Sequence, residues 1–319
     1  MTAVPPPAGW PDQGVAWHYG DPLGEQRRLA AGRGAVDISN RAVIVVDGPD
    51  RRSWMHSLTT QDLEQLAAGE SALALILSPQ GHVEFELHLA DDGERMWIVT
   101  DADRAEPLRA FLEGMRFMLR VEVTERTAEF GVVWEPVTAV DPKHPTWLVP
   151  EPFAAQGFAG REVIVPRSEV ADRVAASEGP SGTWALEALR VAARMPRIGL
   201  DTDHRTIPNE VGWLATPDAP NAVHLRKGCY RGQETVAKVH NLGRPPRRLA
   251  LLHLDGSREQ PPEHCDRVFW SGREVGWIGT GVVHHELGQI ATAMLKRNVP
   301  EDAELIVRSG GAEVVAAQD

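Results

Sequence analysis

The pattern of hydrophobic and polar residues in the first half of the chain predicts an antiparallel sheet with two helices. The predicted elements are a strand at 42–46, a helix after Asp50, strands at 72–77, 83–89 and 96–99, a helix from Asp103, and a strand at 119–123. Between 83 and 89, apolar residues alternate with Glu84, Glu86 and His88, which predicts a strand with one solvent-facing side. The order β-α-β-β-α-β, with one added strand, is typical of a ferredoxin-like unit.

The second half of the chain predicts two further regions. Strands at 130–134 and 162–165 precede a helix at 183–193, which Pro196 would stop. The remaining predicted strands are short and lie at 249–254, 268–270, 275–283, 290–295 and 304–307. Several short strands without a long helix indicate a small C-terminal β-barrel. The whole chain is therefore predicted to be an α+β protein.

Composition limits what kind of protein this is. With 319 residues, 42% of them hydrophobic, the chain is long enough for two or three domains. No apolar run approaches the roughly 20 residues that cross a bilayer. The proline-rich residues 1–14 lack the features of a secretory signal and are predicted to be a disordered lead-in. Two cysteines cannot build a disulfide framework, so a reducing compartment, the cytoplasm, is expected.

Net charge argues against nucleic acid as the main ligand. The formal charge of -12 opposes attraction to phosphate backbones, and the basic stretch from Arg226 to Arg248 is the one region that could reverse this locally. We therefore expect no direct contact with nucleic acid and no membrane association.

The most informative local feature is Cys229, which lies between Gly228 and Gly232 among basic residues. Spacing predicts a short helix that begins near Gly232 and ends at 241–243, so the thiol would precede a positive helix end. Nearby positive charge and a helix N-terminus both favour the reactive thiolate. The alternative is a buried and inert cysteine, because free cysteines are often buried.

Glu210 is the strongest candidate among the carboxylates. It lies in an apolar segment between Pro208 and Gly212, where burial requires hydrogen-bond donors. Backbone amides could supply them, and so could a ligand with adjacent N–H groups, such as a pterin ring. Both interpretations stay open at this stage.

Other familiar site motifs are absent from the sequence. The glycine-rich residues 276–281 lack dinucleotide-binding spacing, and Gln289 stands where a zinc-protease motif starting at His285 would need its second histidine. His264 beside Cys265 lacks a second pair of ligands. We expect no metal site built by this chain alone.

Residues 227–234, Lys-Gly-Cys-Tyr-Arg-Gly-Gln-Glu, resemble the signature of the YgfZ family of folate-binding proteins. That family is related to the aminomethyltransferase, or T-protein, of the glycine cleavage system. Residues 187–199, with Pro208 and Glu210, are similar to the folate-site region of both branches. The resemblance covers about 19–307.

The resemblance implies a three-domain cloverleaf with a ferredoxin-like insert and a C-terminal barrel. We expect a folate-binding domain at 15–46 and 125–245, the ferredoxin-like domain at 47–124, and the barrel at 246–319. It also implies tetrahydrofolate as cofactor, with Glu210 holding the pterin. The implied function is support of iron-sulfur cluster assembly or repair, with iron-sulfur proteins or assembly factors as partners, and indirectly of tRNA modification.

The sequence departs from the aminomethyltransferase branch at the position of its catalytic aspartate. Glu84 and Phe85 match that position, and the longer glutamate puts aminomethyl transfer in doubt because about 1 Å of misplacement costs on the order of a hundredfold in rate. Glu84 could equally be a solvent-facing strand residue. Turnover as a folate-dependent one-carbon transferase therefore remains an alternative, and a thiol redox protein built on Cys229 is a second one.

The remaining candidate residues have two interpretations each. Lys227 would keep the Cys229 thiolate charged, or it is a solvated lysine. Arg226 and Arg231, and with them Arg244, would bind the glutamate tail of folate, or they are surface charges. Trp213 would stack on the pterin, or it belongs to the core.

Overall fold

The computed structural model describes residues 2–216 and 219–319. Its helices are α1 Pro22–Ala30, α2 Arg51–Leu58, α3 Ala102–Gly114, α4 Glu151–Phe153, α5 Val170–Ala176, α6 Thr183–Ala192 and α7 Gln233–Leu242. In the first half, the strands are β1 Ala35–Asp37, β2 Ala42–Asp47, β3 Ser71–Leu77, β4 Val83–Asp91, β5 Arg95–Thr100, β6 Glu122–Glu125 and β7 Phe130–Glu135. The others are β8 Thr146–Leu148, β9 Arg161–Pro166, β10 Pro180–Ser181, β11 Arg247–Leu254, β12 Arg267–Trp270, β13 Arg273–His284, β14 Gly288–Lys296, β15 Leu305–Ser309 and β16 Ala312–Gln318.

The strands form three separate sheets, which confirms the predicted α+β cloverleaf. One five-stranded sheet has the order β10-β1-β7-β9-β8, and a second has the order β3-β4-β5-β2-β6. The third sheet closes as a barrel, β11-β14-β13-β12-β15-β16. Closure leaves no free strand edge in the barrel, and its interior is filled by small and branched side chains such as Ala291, Ala293 and Val307.

The ferredoxin-like sheet begins with β2, as the predicted β-α-β-β-α-β order has it, but before the expected domain boundary at residue 47. β2 pairs antiparallel with β5 and with β6, so residues 42–47 belong to this sheet, whereas the prediction assigned residues up to 46 to the neighbouring domain. Its helical side is closed by α2 and α3, which contribute Trp54, Met55 and Leu108 to the core. The added strand is one of the three consecutive antiparallel strands β3, β4 and β5.

The N-terminal residues differ from the predicted disordered lead-in. Val4 forms a β-bridge with His18, and the ring of Trp10 lies 5.2 Å from that of Trp17. Asp12 is buried and its carboxylate accepts hydrogen bonds of 3.1 and 2.9 Å from the Arg197 guanidinium. The proline-rich composition did not predict the contact between the Trp10 and Trp17 rings or the buried Asp12–Arg197 ion pair. Together these contacts hold the segment against the rest of the protein.

Within the described part of the chain, no helix is both long and apolar enough to cross a membrane.

Candidate functional site

The loop that carries Cys229, residues 226–232 and called here the signature loop, leads directly into α7. Gly232 adopts φ +79° immediately before the helix, and Gly243 adopts φ +93° immediately after it. The helix bounds agree with the sequence prediction. Cys229 is exposed, so the interpretation of a buried, inert cysteine is wrong. An exposed thiol four residues before a helix N-terminus is available to reagents and partners.

Lys227 anchors the signature loop instead of lying in solvent. Its ammonium is buried and donates hydrogen bonds to three backbone carbonyls, those of His56, Thr59 at 2.6 Å and Gln61 at 3.1 Å. These carbonyls lie at and beyond the C-terminal end of α2, where a cation complements unpaired carbonyl groups. Burial lowers the pKa of Lys227 to about 8. All three donors are used, so the structure gives Lys227 a positioning role.

Gly232 brings the signature loop against the turn between β3 and β4. A Cβ at Gly232 would lie 2.5 Å from the Ser78 carbonyl oxygen and 2.8 Å from Gly81 Cα. Gly81, with φ +84°, has the reciprocal restriction, because a Cβ there would lie 2.7 Å from Thr235 Cβ. Two glycines therefore allow two backbones to touch, which fixes the loop on the ferredoxin-like unit.

A surface cleft of about 890 Å³, called here the hairpin cleft, opens beside this contact. Arg231 Nη1 lies 3.2 Å from Glu84 Oε2 within it, and both side chains are about a third exposed. The Arg231 guanidinium also lies over the Phe111 ring at 5.5 Å. Arg104 and His204 add positive or titratable groups to the lining. The cleft thus combines an aromatic surface, a carboxylate and cationic side chains.

Glu210 is buried as predicted, but its oxygens are fully engaged within the protein. Arg247 donates to both of them at 2.8 and 2.9 Å, and the Ile207 backbone amide donates at 3.1 Å. Arg247 also pairs with Asp203 at 2.7 Å. The hydrogen-bond donors to Glu210 are therefore supplied by the protein and not by a ligand. A pterin could reach Glu210 only by displacing a bidentate arginine contact.

The structure also decides whether Trp213 and Arg226 are buried or exposed, which the sequence left open. Trp213 is fully buried in the main core, which excludes stacking on a ligand at the surface. Arg226 is exposed on the signature loop, three residues before Cys229. Tyr230 is half-buried, and the Lys227 ammonium lies 5.4 Å from its ring centre. Burial raises the pKa of the Tyr230 phenol to about 12.

A buried charged cluster, called here the central cluster, lies where the three units meet, and residue spacing did not predict it. Its members are Asp12, Arg41, Glu86, His88, Asp101, Glu162, Glu187, Arg190, Arg197 and Asp201. Glu86 and His88 were predicted to face solvent, yet both are buried. The alternation along β4 marked the polar face correctly, but a strand pattern carries no information about which unit covers that face.

His88 is the most constrained member of the central cluster. Its ring stacks on Trp147 with centroids 3.8 Å apart, and its Nδ1 lies 2.8 Å from Glu162 Oε2. Burial alone would lower the pKa of His88, but Glu162 and then Glu86 outweigh it and raise the pKa to about 9. The imidazolium is thus held between carboxylates.

The central cluster leaves no room for a pterin. The cavity bounded by Arg41, His88 and Arg197 has a volume of about 20 Å³, enough for roughly one water molecule. Ligand pockets usually span roughly 300–1,000 Å³. The cavity at the central cluster is therefore too small for folate, and Glu210 and Trp213 are engaged inside the protein, whereas the hairpin cleft has both the volume and the polar groups of a ligand site.

Within residues 2–216 and 219–319, no three His, Cys, Asp or Glu side chains are grouped so as to hold a metal ion.

The architecture is that of the aminomethyltransferase of the glycine cleavage system. The crystal structure of aminomethyltransferase T from Bartonella henselae superposes with a TM-score of 0.79 at 18% identity, covering 98% of this chain and 92% of that one. At this identity the likeness establishes the fold.

Sequence relatives fall into two functional groups. The chain is 27% identical to an aminomethyltransferase of Chromobacterium violaceum over 270 residues, 74% of this chain and 72% of the relative. An aminomethyltransferase of Rubrobacter xylanophilus is 25% identical over 341 residues, 97% and 85% of the two chains. The iron-sulfur cluster assembly factor IBA57 homolog, mitochondrial, of Mycosarcoma maydis is 24% identical over 245 residues, 70% and 58% of the two chains. No protein-family model matches the chain.

Proposed function

We propose that this protein is a folate-binding accessory factor for iron-sulfur cluster assembly or repair, acting through the Cys229 thiol. The observation that carries the proposal is the exposure of Cys229 on a loop fixed at both ends, by Lys227 on one side and Gly232 on the other. A rigidly presented, solvent-accessible thiol suits contact with a protein client or with transferred iron. The similarity to an iron-sulfur assembly factor supports this assignment.

Tetrahydrofolate is proposed to bind in the hairpin cleft. Phe111 and Phe85 provide aromatic surface for the ring system. Arg231 contacts Oε2 of Glu84, so Oε1 can accept a hydrogen bond from an N–H group of the ligand, unlike the oxygens of Glu210, which are both engaged. Arg104 and Arg231 suit the carboxylates of the glutamate tail. Since Arg231 lies two residues after Cys229, a ligand there would be coupled to the signature loop. When bound, the folate would supply one-carbon chemistry or act as a ligand that orders the loop.

The alternative function is aminomethyl transfer. It is supported by the similarity to aminomethyltransferases but less by the position of Glu84 in the hairpin cleft. Its acidic group would be Glu84, whose carboxylate is paired with Arg231 at 3.2 Å. The contact with Arg231 occupies one oxygen of the carboxylate that would have to act in the transfer. For the accessory factor proposed above, two free thiols suit a reducing compartment such as the cytoplasm. Its iron-sulfur clients would include tRNA-modifying enzymes.

The test measures folate binding and Cys229 accessibility together. Tetrahydrofolate is titrated anaerobically by calorimetry, and iodoacetamide labelling of Cys229 and Cys265 is followed by peptide mass spectrometry. Cys265 is also exposed and serves as the internal control. We expect saturable binding, weakened about tenfold or more by Arg231→Ala, and slower labelling of Cys229 but not of Cys265 when folate is bound.

Matched variants separate the candidate sites. Arg116→Ala removes an exposed arginine outside the cleft and should leave binding unchanged. Absence of binding by the wild type would refute the folate proposal and leave a thiol redox protein. Tetrahydrofolate-dependent turnover of aminomethyl-loaded H-protein, unaffected by Cys229→Ser, would instead establish the aminomethyltransferase function.

A further inference from the structure

Positive charge is concentrated where α7 passes into the barrel. Arg247 of β11 lies opposite Lys296 of β14 in the antiparallel strand register. The Arg297 backbone amide donates a hydrogen bond of 3.0 Å to the Pro246 carbonyl. This backbone frame places Arg244, Arg248 and Arg297 around a cleft of about 940 Å³, called here the basic cleft. The clustering is notable in a chain with a formal charge of -12.

None of these three arginines has a carboxylate partner among the described residues, and two of them are exposed. Arg247 is neutralised by Glu210 and Asp203, and Arg248 donates to the Val299 carbonyl and the Gln318 amide oxygen. Arg244 and Arg297 are exposed, and Arg297 Nη1 lies 3.4 Å from the Arg244 carbonyl oxygen. Two exposed guanidinium groups without a carboxylate partner in the described part of the chain therefore line one cleft and are available to an incoming anion.

Apolar surface lies beside these charges. Leu242, two residues before Arg244 in the chain, is 76% exposed at the end of α7, and Pro245 and Pro300, which are partly or fully exposed, line the cleft. A large exposed aliphatic side chain next to unpaired arginines is typical of a protein-docking surface, where apolar contact gives affinity and charge gives orientation.

A nucleic acid or a polyphosphate fits this surface less well. Glu301 and Asp302 also line the basic cleft, so its positive charge is interrupted and does not form the continuous track that a phosphate backbone follows. A peptide can instead place its carboxylates on Arg244 and Arg297, and its apolar side chain on Leu242.

We propose that the basic cleft, together with Leu242, docks an acidic segment of a partner protein that also carries an aliphatic side chain. The ten residues of α7 span about 15 Å and connect this surface to the loop that presents Cys229. A partner held at the basic cleft would therefore have the exposed thiol within reach of its own surface. The surface is independent of the folate proposal, because none of its residues lines the hairpin cleft.

The test uses the full-length protein and a fluorescein-labelled peptide, Glu-Glu-Leu-Glu-Leu-Glu-Glu, in an anisotropy titration. We expect saturable binding that weakens as salt is raised, because exposed charges are screened beyond about 10 Å at 0.1 M. The double variant Arg244→Glu/Arg297→Glu should weaken binding about tenfold or more, and Leu242→Ser should weaken it severalfold at every salt concentration.

The matched control is Arg27→Glu/Arg116→Glu, which makes the same change in net charge at two exposed arginines elsewhere on the protein. Its binding should stay within about twofold of the wild type. Equal weakening by both double variants would show that only net charge matters and would overturn the proposal. So would absence of saturable peptide binding, or tighter binding of pyrophosphate or an RNA oligonucleotide to the same arginines. Thermal unfolding of each variant confirms that the fold is retained.

Discussion

At the scale of single residues, Lys227 shows how a group expected to do chemistry can serve to hold another group in place. Its ammonium satisfies three carbonyls at the end of α2, and this fixes the backbone two residues before Cys229. The residue type was identifiable from the sequence as part of the signature. Its partners were not, because His56, Thr59 and Gln61 lie about 170 residues away and are contacted through backbone atoms.

Replacement of Lys227 by methionine should lower the free energy of unfolding by about 2–4 kcal/mol, because buried carbonyls lose charge-assisted hydrogen bonds. Urea denaturation measures this difference. Lys238→Met, at an exposed position on α7, should change stability by less than about 0.5 kcal/mol. If both variants unfolded at the same urea concentration, the anchoring role of Lys227 would be refuted.

At the scale of elements, the contact between the β3–β4 turn and the start of α7 depends on backbone shape. Gly232→Ala introduces a Cβ 2.5 Å from the Ser78 carbonyl oxygen and also strains φ +79°. Gly243→Ala, at the other end of the same helix, meets no atom within 4 Å and suffers only the strain of φ +93°. Comparison of the two variants therefore separates the effect of the steric clash from that of the backbone strain.

We expect Gly243→Ala to cost about 1 kcal/mol of stability and Gly232→Ala about 2 kcal/mol or more, since the second adds a steric clash. Gly232→Ala should also make Lys227 and Cys229 more accessible to trypsin and iodoacetamide, because the loop loses its contact with the turn. Identical unfolding midpoints for the two variants would show that the contact contributes nothing.

Long strands with a clear residue pattern were predictable from the sequence, and very short strands and tertiary contacts were not. Strands with strong alternation, such as β4, and runs bounded by turns, such as β13, were found within a few residues. β10 has two residues and β8 has three, too few to show any periodicity, and both were missed. The partners of Glu210 and Trp213 are set by tertiary packing, so spacing could identify these residues but not decide between ligand and core.

At the scale of the whole molecule, the central cluster joins the three units through buried charges. Arg197 contacts Asp12 from the N-terminal segment, Asp101 from the ferredoxin-like unit and Glu187 from α6. Arg190 reaches Asp201 and also Thr280 of the barrel. Because an unpaired buried charge is costly, loss of any one partner should loosen the arrangement of all three units.

The pH dependence of stability should report the charge on His88. Its pKa is about 6.5 when unfolded and is raised to about 9 in the protein, despite burial, by Glu162 and Glu86. The stabilisation is therefore fully present below pH 6.5 and is lost as the pH rises through 9, by on the order of 3 kcal/mol. Urea denaturation of the wild type and His88→Gln at pH 6, 7.5 and 9 measures it. The stability difference between them should shrink across this range, whereas a constant difference would mean that folding does not change the pKa of His88.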